Sequence, residues 1–159
     1  MITDKNIIEF ISSWKDGIIL IQKAYIANND YKELARNFVD NHYLFNEELV
    51  LFKPTLTNDV VFRNTSDDAL SYFIGGKYPE DSGFALNDFE DIEIVEINTI
   101  IEKELIAVMG VFILRLKNTN DPLRIAFTFI LKSTNIGLKI KIHHSSLIKK
   151  IFNLSDCCA

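Results

Sequence analysis

Residues 104–118 read ELIAVMGVFILRLKN. From Ile106 to Leu114 the run is apolar at odd and even positions alike. Successive side chains of a strand point to opposite faces, so this strand must be covered on both. NTND (118–121) then turns into PLRIAFTFILK (122–132), again nearly apolar on both faces. STNIG (133–137) turns into LKIKIHHSSL (138–147). On the other side, DIEIVEIN (91–98) has period two. Plain alternation sends Ile92, Ile94 and Glu96 one way and Glu93, Val95 and Ile97 the other. The second half of the chain is therefore a run of long, hairpin-connected strands.

The first half has a different period. Ile7, Ile11, Trp14, Ile18, Ile21 and Tyr25 recur at three- and four-residue steps, predicting one buried helical face over about 4–28, with Thr3 or Asp4 as its cap. ANND (27–30) is a turn. A second short helix carries Tyr31, Leu34, Ala35, Phe38, Val39 and Tyr43 on one side. A strand at about 48–53 is stopped by Pro54, and VVF (60–62) reads as a short extended piece. TSDDALSYF (65–73) predicts a helix capped by Thr65 or Ser66 and ended by Gly75-Gly76; residues 78–88 form a loop. Helices followed by strands predict an α+β fold, with helices packed on one face of a curved antiparallel sheet. The other face of the doubly apolar strands needs cover as well. A second copy of the same sheet supplies it, so a homodimer is expected.

The chain has 159 residues, 48% of them hydrophobic and twelve of them Phe, enough for one sizeable core and one domain over 1–159. Its net charge is −5 and its basic residues are scattered, which argues against nucleic acid or an anionic membrane surface as partner. The N-terminal stretch has acids at positions 4, 9 and 16 and reads as an amphipathic helix, not a signal peptide. No apolar stretch approaches the roughly 20 residues of a spanning helix, so a cytoplasmic protein is expected. Cys157 and Cys158 are neighbours and have no other cysteine to pair with.

The last strand carries the chemistry. By alternation Leu138, Ile140 and Ile142 share a face with His144 and Ser146, while Lys139, Lys141, His143 and Ser145 share the other. With the first face against the helices, His144 and Ser146 end an apolar wall, the usual make-up of a small-molecule pocket. Adjacent strand residues point apart, so His143 and His144 do not grip one ion. The chain has no HxH or CxxC spacing, and neither a metal nor any other cofactor is expected.

Several segments occur together in a recognisable order: NDYKELARNFVDNHYLFNEELVLFKPTLT (29–57), ALSYFIGG (69–76), DSGFAL (81–86), AVMGVFIL (107–114) and IHHSSL (142–147). They resemble the iota-class carbonic anhydrases, which have the NTF2-like, cystatin-like α+β cone: a strongly curved sheet with N-terminal helices in its concave face. Members that work without metal hold bicarbonate with a Thr, a Tyr and a Ser in a mostly apolar pocket. The resemblance matches the Thr to Thr55 and the Tyr to Tyr72. It leaves the Ser open between Ser145 and Ser146, and the alternation above selects Ser146, with His144 beside it.

The resemblance implies reversible hydration of carbon dioxide to bicarbonate. Thr55, Tyr72 and Ser146 supply hydroxyl donors, and His144, with a reference pKa of about 6.5, is the natural proton acceptor. Each also has a plainer reading: Tyr72 as a core aromatic, Thr55 as a turn residue, His144 and Ser146 as strand-end groups. Two other functions compete on the same fold: a non-catalytic ligand-binding or oligomerisation module, and a small isomerase or cyclase. The latter needs a buried carboxylate base, and the acids here fall mostly at turns and on polar faces.

Overall fold

The capping motifs written into the sequence set the helix starts. The computed structural model describes residues 1–149, so Cys157, Cys158 and the tail lie outside the described residues. α1 spans Asp4–Ile26 and is opened by Thr3 in a reciprocal capping box with Asn6. Asp30 caps α2 (Tyr31–His42), and Thr65 caps α3 (Ser66–Ile74) by accepting the N–H of Asp68. α3 stops at Gly75, whose φ of 78° lies where a side chain would be strained.

The strands are β1 (Leu51–Lys53), β2 (Phe89–Ile101), β3 (Ile106–Leu116), β4 (Leu123–Thr134) and β5 (Gly137–Leu147). They form one sheet in the order β1-β5-β4-β3-β2. The pairs β2–β3, β3–β4 and β4–β5 are antiparallel, whereas β1 joins β5 in parallel, so the sheet is mixed rather than purely antiparallel. The expected strand at 48–53 shortens to three residues. VVF (60–62) forms no strand; the chain there is tied to β1 by the bond from Arg63 N–H to the Phe52 carbonyl, at 2.7 Å.

The α1 stripe Ile7, Ile11, Trp14, Ile18 and Ile21 is buried as expected, but Tyr25, expected on the same face, is exposed near the helix end, where its ring meets Tyr31 of α2. Trp14 lies against the inner sheet face, stacked on Phe112 of β3 at 5.4 Å and tilted against Phe129 of β4 at 5.9 Å. β3 and β4 alternate regularly: Val108, Phe112 and Leu114, with Ile125, Phe127 and Phe129, face the helices. The acidic strand β2 is a free sheet edge, with Asp91 and Glu93 paired to Arg115 of β3, in keeping with charges that blunt an edge.

Two strands break the alternation. In β2, Ile94 faces Phe112 while Glu96 faces Val111, so Val95 is an extra residue. In β5, Ile140 faces Leu131 and Ile142 faces Ile130, so Lys141 is extra. A bulge bends and twists a strand, and here it also inverts which residues point inward beyond it. Gly110 of β3 sits opposite the β2 bulge. A Cβ there would lie 2.5 Å from the Glu96 carbonyl oxygen and 2.6 Å from the Phe127 ring, so only glycine allows this approach.

Candidate active site

The Lys141 bulge decides which side chains reach the interior. Beyond it, His143 and Ser145 are buried, whereas His144 and Ser146 are exposed on the outer face. The face assignment drawn from plain alternation is therefore corrected. Ser146 and His144 do not meet Thr55 and Tyr72, and His144 is not placed to take a proton in the interior. Nothing in the sequence marks Lys141 as a bulge, since it is neither Gly nor Pro.

Thr55, Tyr72, His143 and Ser145 are brought together around one internal cavity. Three distant segments contribute. Thr55 follows β1 and Pro54, Tyr72 comes from the last turns of α3, and His143 and Ser145 come from β5 beside β1. The remaining wall is apolar, with Phe52, Phe73, Phe84, Phe112, Leu114 and Ile125 prominent. Of the other phenylalanines, Phe129 packs edge-on against the His143 ring at 4.6 Å, and Phe62 is exposed. The cavity measures about 20 Å³. About 10–15 Å³ on this scale admits one water, so only a molecule of a few heavy atoms fits.

The Tyr72 hydroxyl is buried and makes no hydrogen bond within the fold, alone in this among the buried side-chain polar atoms of the described residues. Its polar neighbours are the backbone N–H groups of Leu56 and Thr55 and the Thr55 hydroxyl. Burial pushes its pKa above the usual tyrosine range, so it is a neutral hydroxyl. An unpartnered buried hydroxyl is costly, and natural folds seldom keep one without a use for it.

His143 is wrapped in rings. It stacks on Phe52 at 4.6 Å and meets Trp14 edge-on at 5.9 Å. Burial, followed by the electrostatic influence of the neighbouring His144, drives its pKa well below 6.5, so the ring is neutral at physiological pH. Its Nε2 lies 2.6 Å from Ser145 Oγ and its Nδ1 2.9 Å from the Tyr43 hydroxyl. That hydroxyl in turn accepts from Trp14 Nε1 at 3.1 Å. Sequence reasoning placed Trp14 and Tyr43 only in helix stripes, and no local pattern reveals their polar contacts.

The segment carrying Thr55 is anchored from outside the cavity. Arg63 is wholly buried and binds Asp81 and Glu80. Glu80 accepts the backbone N–H groups of Asn58, Asp59 and Val60. Ser71, next to Tyr72, donates to Asp81 at 2.6 Å. The Thr55 segment and α3 are thus tied to one carboxylate pair.

Three hydroxyls in an apolar chamber of this size suit a small oxyanion. A family model for metal-independent carbonic anhydrase matches residues 5–147. The chain belongs to the metal-independent carbonic anhydrase family. It is 32% identical over 151 residues to the metal-independent carbonic anhydrase of Nostoc sp. (strain PCC 7120 / SAG 25.82 / UTEX 2576), covering 92% of this chain and 74% of that one. The crystal structure of an iota-carbonic anhydrase from a cyanobacterium, complexed with bicarbonate, superposes with a TM-score of 0.86 at 31% identity over 94% of each chain. An NTF2-like protein from Shewanella oneidensis MR-1 shares the fold alone, with a TM-score of 0.51 at 20% identity over 89% of this chain and 97% of that one. The NTF2-like α+β fold expected from the sequence is thereby borne out, as is membership of the carbonic anhydrase family. Among the described residues no helix is long and apolar enough to cross a membrane.

Proposed function

We propose that this cavity interconverts carbon dioxide and bicarbonate, with the hydroxyls of Thr55, Tyr72 and Ser145 holding the substrate oxygens. The observation that carries the reading is the Tyr72 hydroxyl, buried without a partner in the wall of an apolar chamber. Bicarbonate has three oxygens to receive such donors, and carbon dioxide suits the aromatic wall. The cyanobacterial relative that superposes on this chain is described as a bicarbonate complex, which supports the assignment.

The chemistry needs no ionised side chain. A hydroxyl donates one hydrogen bond and accepts others at the same oxygen. As the water oxygen bonds to the carbon, one water proton passes to a hydroxyl oxygen, and that hydroxyl gives its own proton to a carbon dioxide oxygen. The product is carbonic acid, which ionises to bicarbonate and a released proton. Developing charge on the substrate oxygens is met by the remaining donors, in a site from which bulk water is excluded. The neutral states of Tyr72 and His143 fit this uncharged relay.

An isomerase or cyclase is disfavoured by the small cavity and by the absence of any carboxylate among the described residues that line it. A pure binding module is distinguished by assay. Stopped-flow hydration of carbon dioxide, followed with a pH indicator and in the presence of a chelator, is expected to show acceleration by the wild type. Tyr72→Phe is expected to lower it on the order of 10²-fold, the usual effect of one lost oxyanion donor. A wild type no faster than buffer removes the enzyme reading in favour of the binding module.

We also propose a homodimer through the outer sheet face, acting in the cytoplasm. Met109, Val111, Ile113, Ala126 and Ile130 make that face apolar across β3 and β4, and Met109 is 60% exposed. Light scattering of the wild type and of Met109→Lys tests the dimer: a monomeric wild type removes it. Cell fractionation tests the compartment.

A further inference from the structure

Four polar side chains run in a line from helix α1 to the cavity: Trp14, Tyr43, His143 and Ser145. The links are 3.1, 2.9 and 2.6 Å. Taken one by one, they do not say which way the protons point. Taken together they do.

Trp14 Nε1 can only donate, so the Tyr43 oxygen is its acceptor. Tyr43 has one proton, is wholly buried, and has no other hydrogen-bond partner for its hydroxyl among the described residues than Trp14 and His143. Its proton must therefore go to His143 Nδ1, because the opposite arrangement leaves a buried hydroxyl proton with no acceptor. The single proton of the neutral imidazole then sits on Nε2 and is donated to Ser145 Oγ. With that lone pair engaged, Ser145 has its own proton free to turn into the cavity.

We propose that Tyr43, held by Trp14, locks His143 in the Nε2–H tautomer and so makes Ser145 present its hydroxyl proton to the substrate. Tyr43 is thus a positioning residue, acting through His143 and Ser145. His143 orients Ser145 and is not a base, since its only lone pair is spent on Tyr43. The direction of the chain follows from the donor inventory of the four groups. Its catalytic meaning rests on the carbonic anhydrase reading above.

Two readouts separate the two claims. The first needs no activity: 15N–1H correlation of the imidazole ring nitrogens in the wild type, with His42→Gln and His144→Gln used to assign the three histidines. The expected spectrum shows protonated Nε2 and bare Nδ1 on His143. A protonated Nδ1 overturns the proposal even in a fully active enzyme. The second is Tyr43→Phe, which keeps the ring and removes the donor. It is expected to give a mixed His143 tautomer and a fall in hydration of about fivefold to tenfold, the size of one neutral hydrogen bond. A folded Tyr43→Phe with wild-type rate overturns the positioning role. Should Tyr43→Phe not fold, the wild-type ring spectrum still decides the direction of the chain. An inactive wild type with the expected spectrum removes the enzyme reading and leaves the tautomer lock standing.

Discussion

The guanidinium of Arg63, completely shielded from solvent, grips the carboxylate of Asp81, whose own side chain is 1% exposed. Such a pair gains little over a well-packed apolar substitute, but removing one partner strands the other's charge. Here the pair also fixes geometry. Asp81 takes the Ser71 hydroxyl beside Tyr72, and Arg63 closes the segment that bears Thr55. Asp81→Asn is therefore expected to destabilise the protein by about 3–5 kcal/mol. Urea unfolding monitored by Trp14 fluorescence measures it, and a change below 1 kcal/mol, the range of exposed ion pairs, contradicts the burial argument.

Glu80 gives the same anchor a pH dependence. The N–H groups of Val60, Asn58 and Asp59, followed by the Arg63 guanidinium, hold its carboxyl down to about 2 from an ordinary 4.5. The group is depressed in the folded state, so its contribution is complete above pH 4.5 and is lost as pH falls from there towards 2. Melting temperatures of wild type and Glu80→Gln are expected to differ at pH 7 and to converge over that window. A gap that persists unchanged at pH 2 contradicts this account.

Gly110 tests the bulge in β2. A methyl group there meets backbone at 2.5 Å on one side and a buried ring on the other, neither of which gives way easily. Gly110→Ala is expected to cost about 1–3 kcal/mol, the range for overpacking. Thermal unfolding that matches wild type would mean that β2 passes β3 without this close approach.

Much of the fold was legible because its signals are periodic. The α1 stripe from Ile7 to Ile21 follows from residue spacing alone, and the long apolar runs mark β3 and β4 as strands covered on both faces, although which of their residues face the helices shows only in the structure. Thr55 and Tyr72 were reached through the KPT and SYF segments, and both line the cavity. The inward-facing pair on β5 was not legible. Lys141, which has no residue opposite it in β4, shifts the phase, and backbone register leaves no mark on composition. The same slip occurs at Val95 in β2, where Ile97 turns inward with Ile92 and Ile94. Trp14 and Tyr43 were visible only as apolar members of helix faces. Their polar tips acquire meaning through a contact spanning 100 residues, from Tyr43 to His143.

The phase of β5 is the central claim, and neighbouring serines test it. Ser145 is buried at the cavity, and Ser146 is exposed on the opposite face. Chelator-resistant carbon dioxide hydration by Ser145→Ala and Ser146→Ala, measured side by side, is the most direct experiment. The account predicts a loss on the order of 10²-fold for Ser145→Ala and a rate close to wild type for Ser146→Ala. The reverse pattern, or equal losses in both, would contradict it.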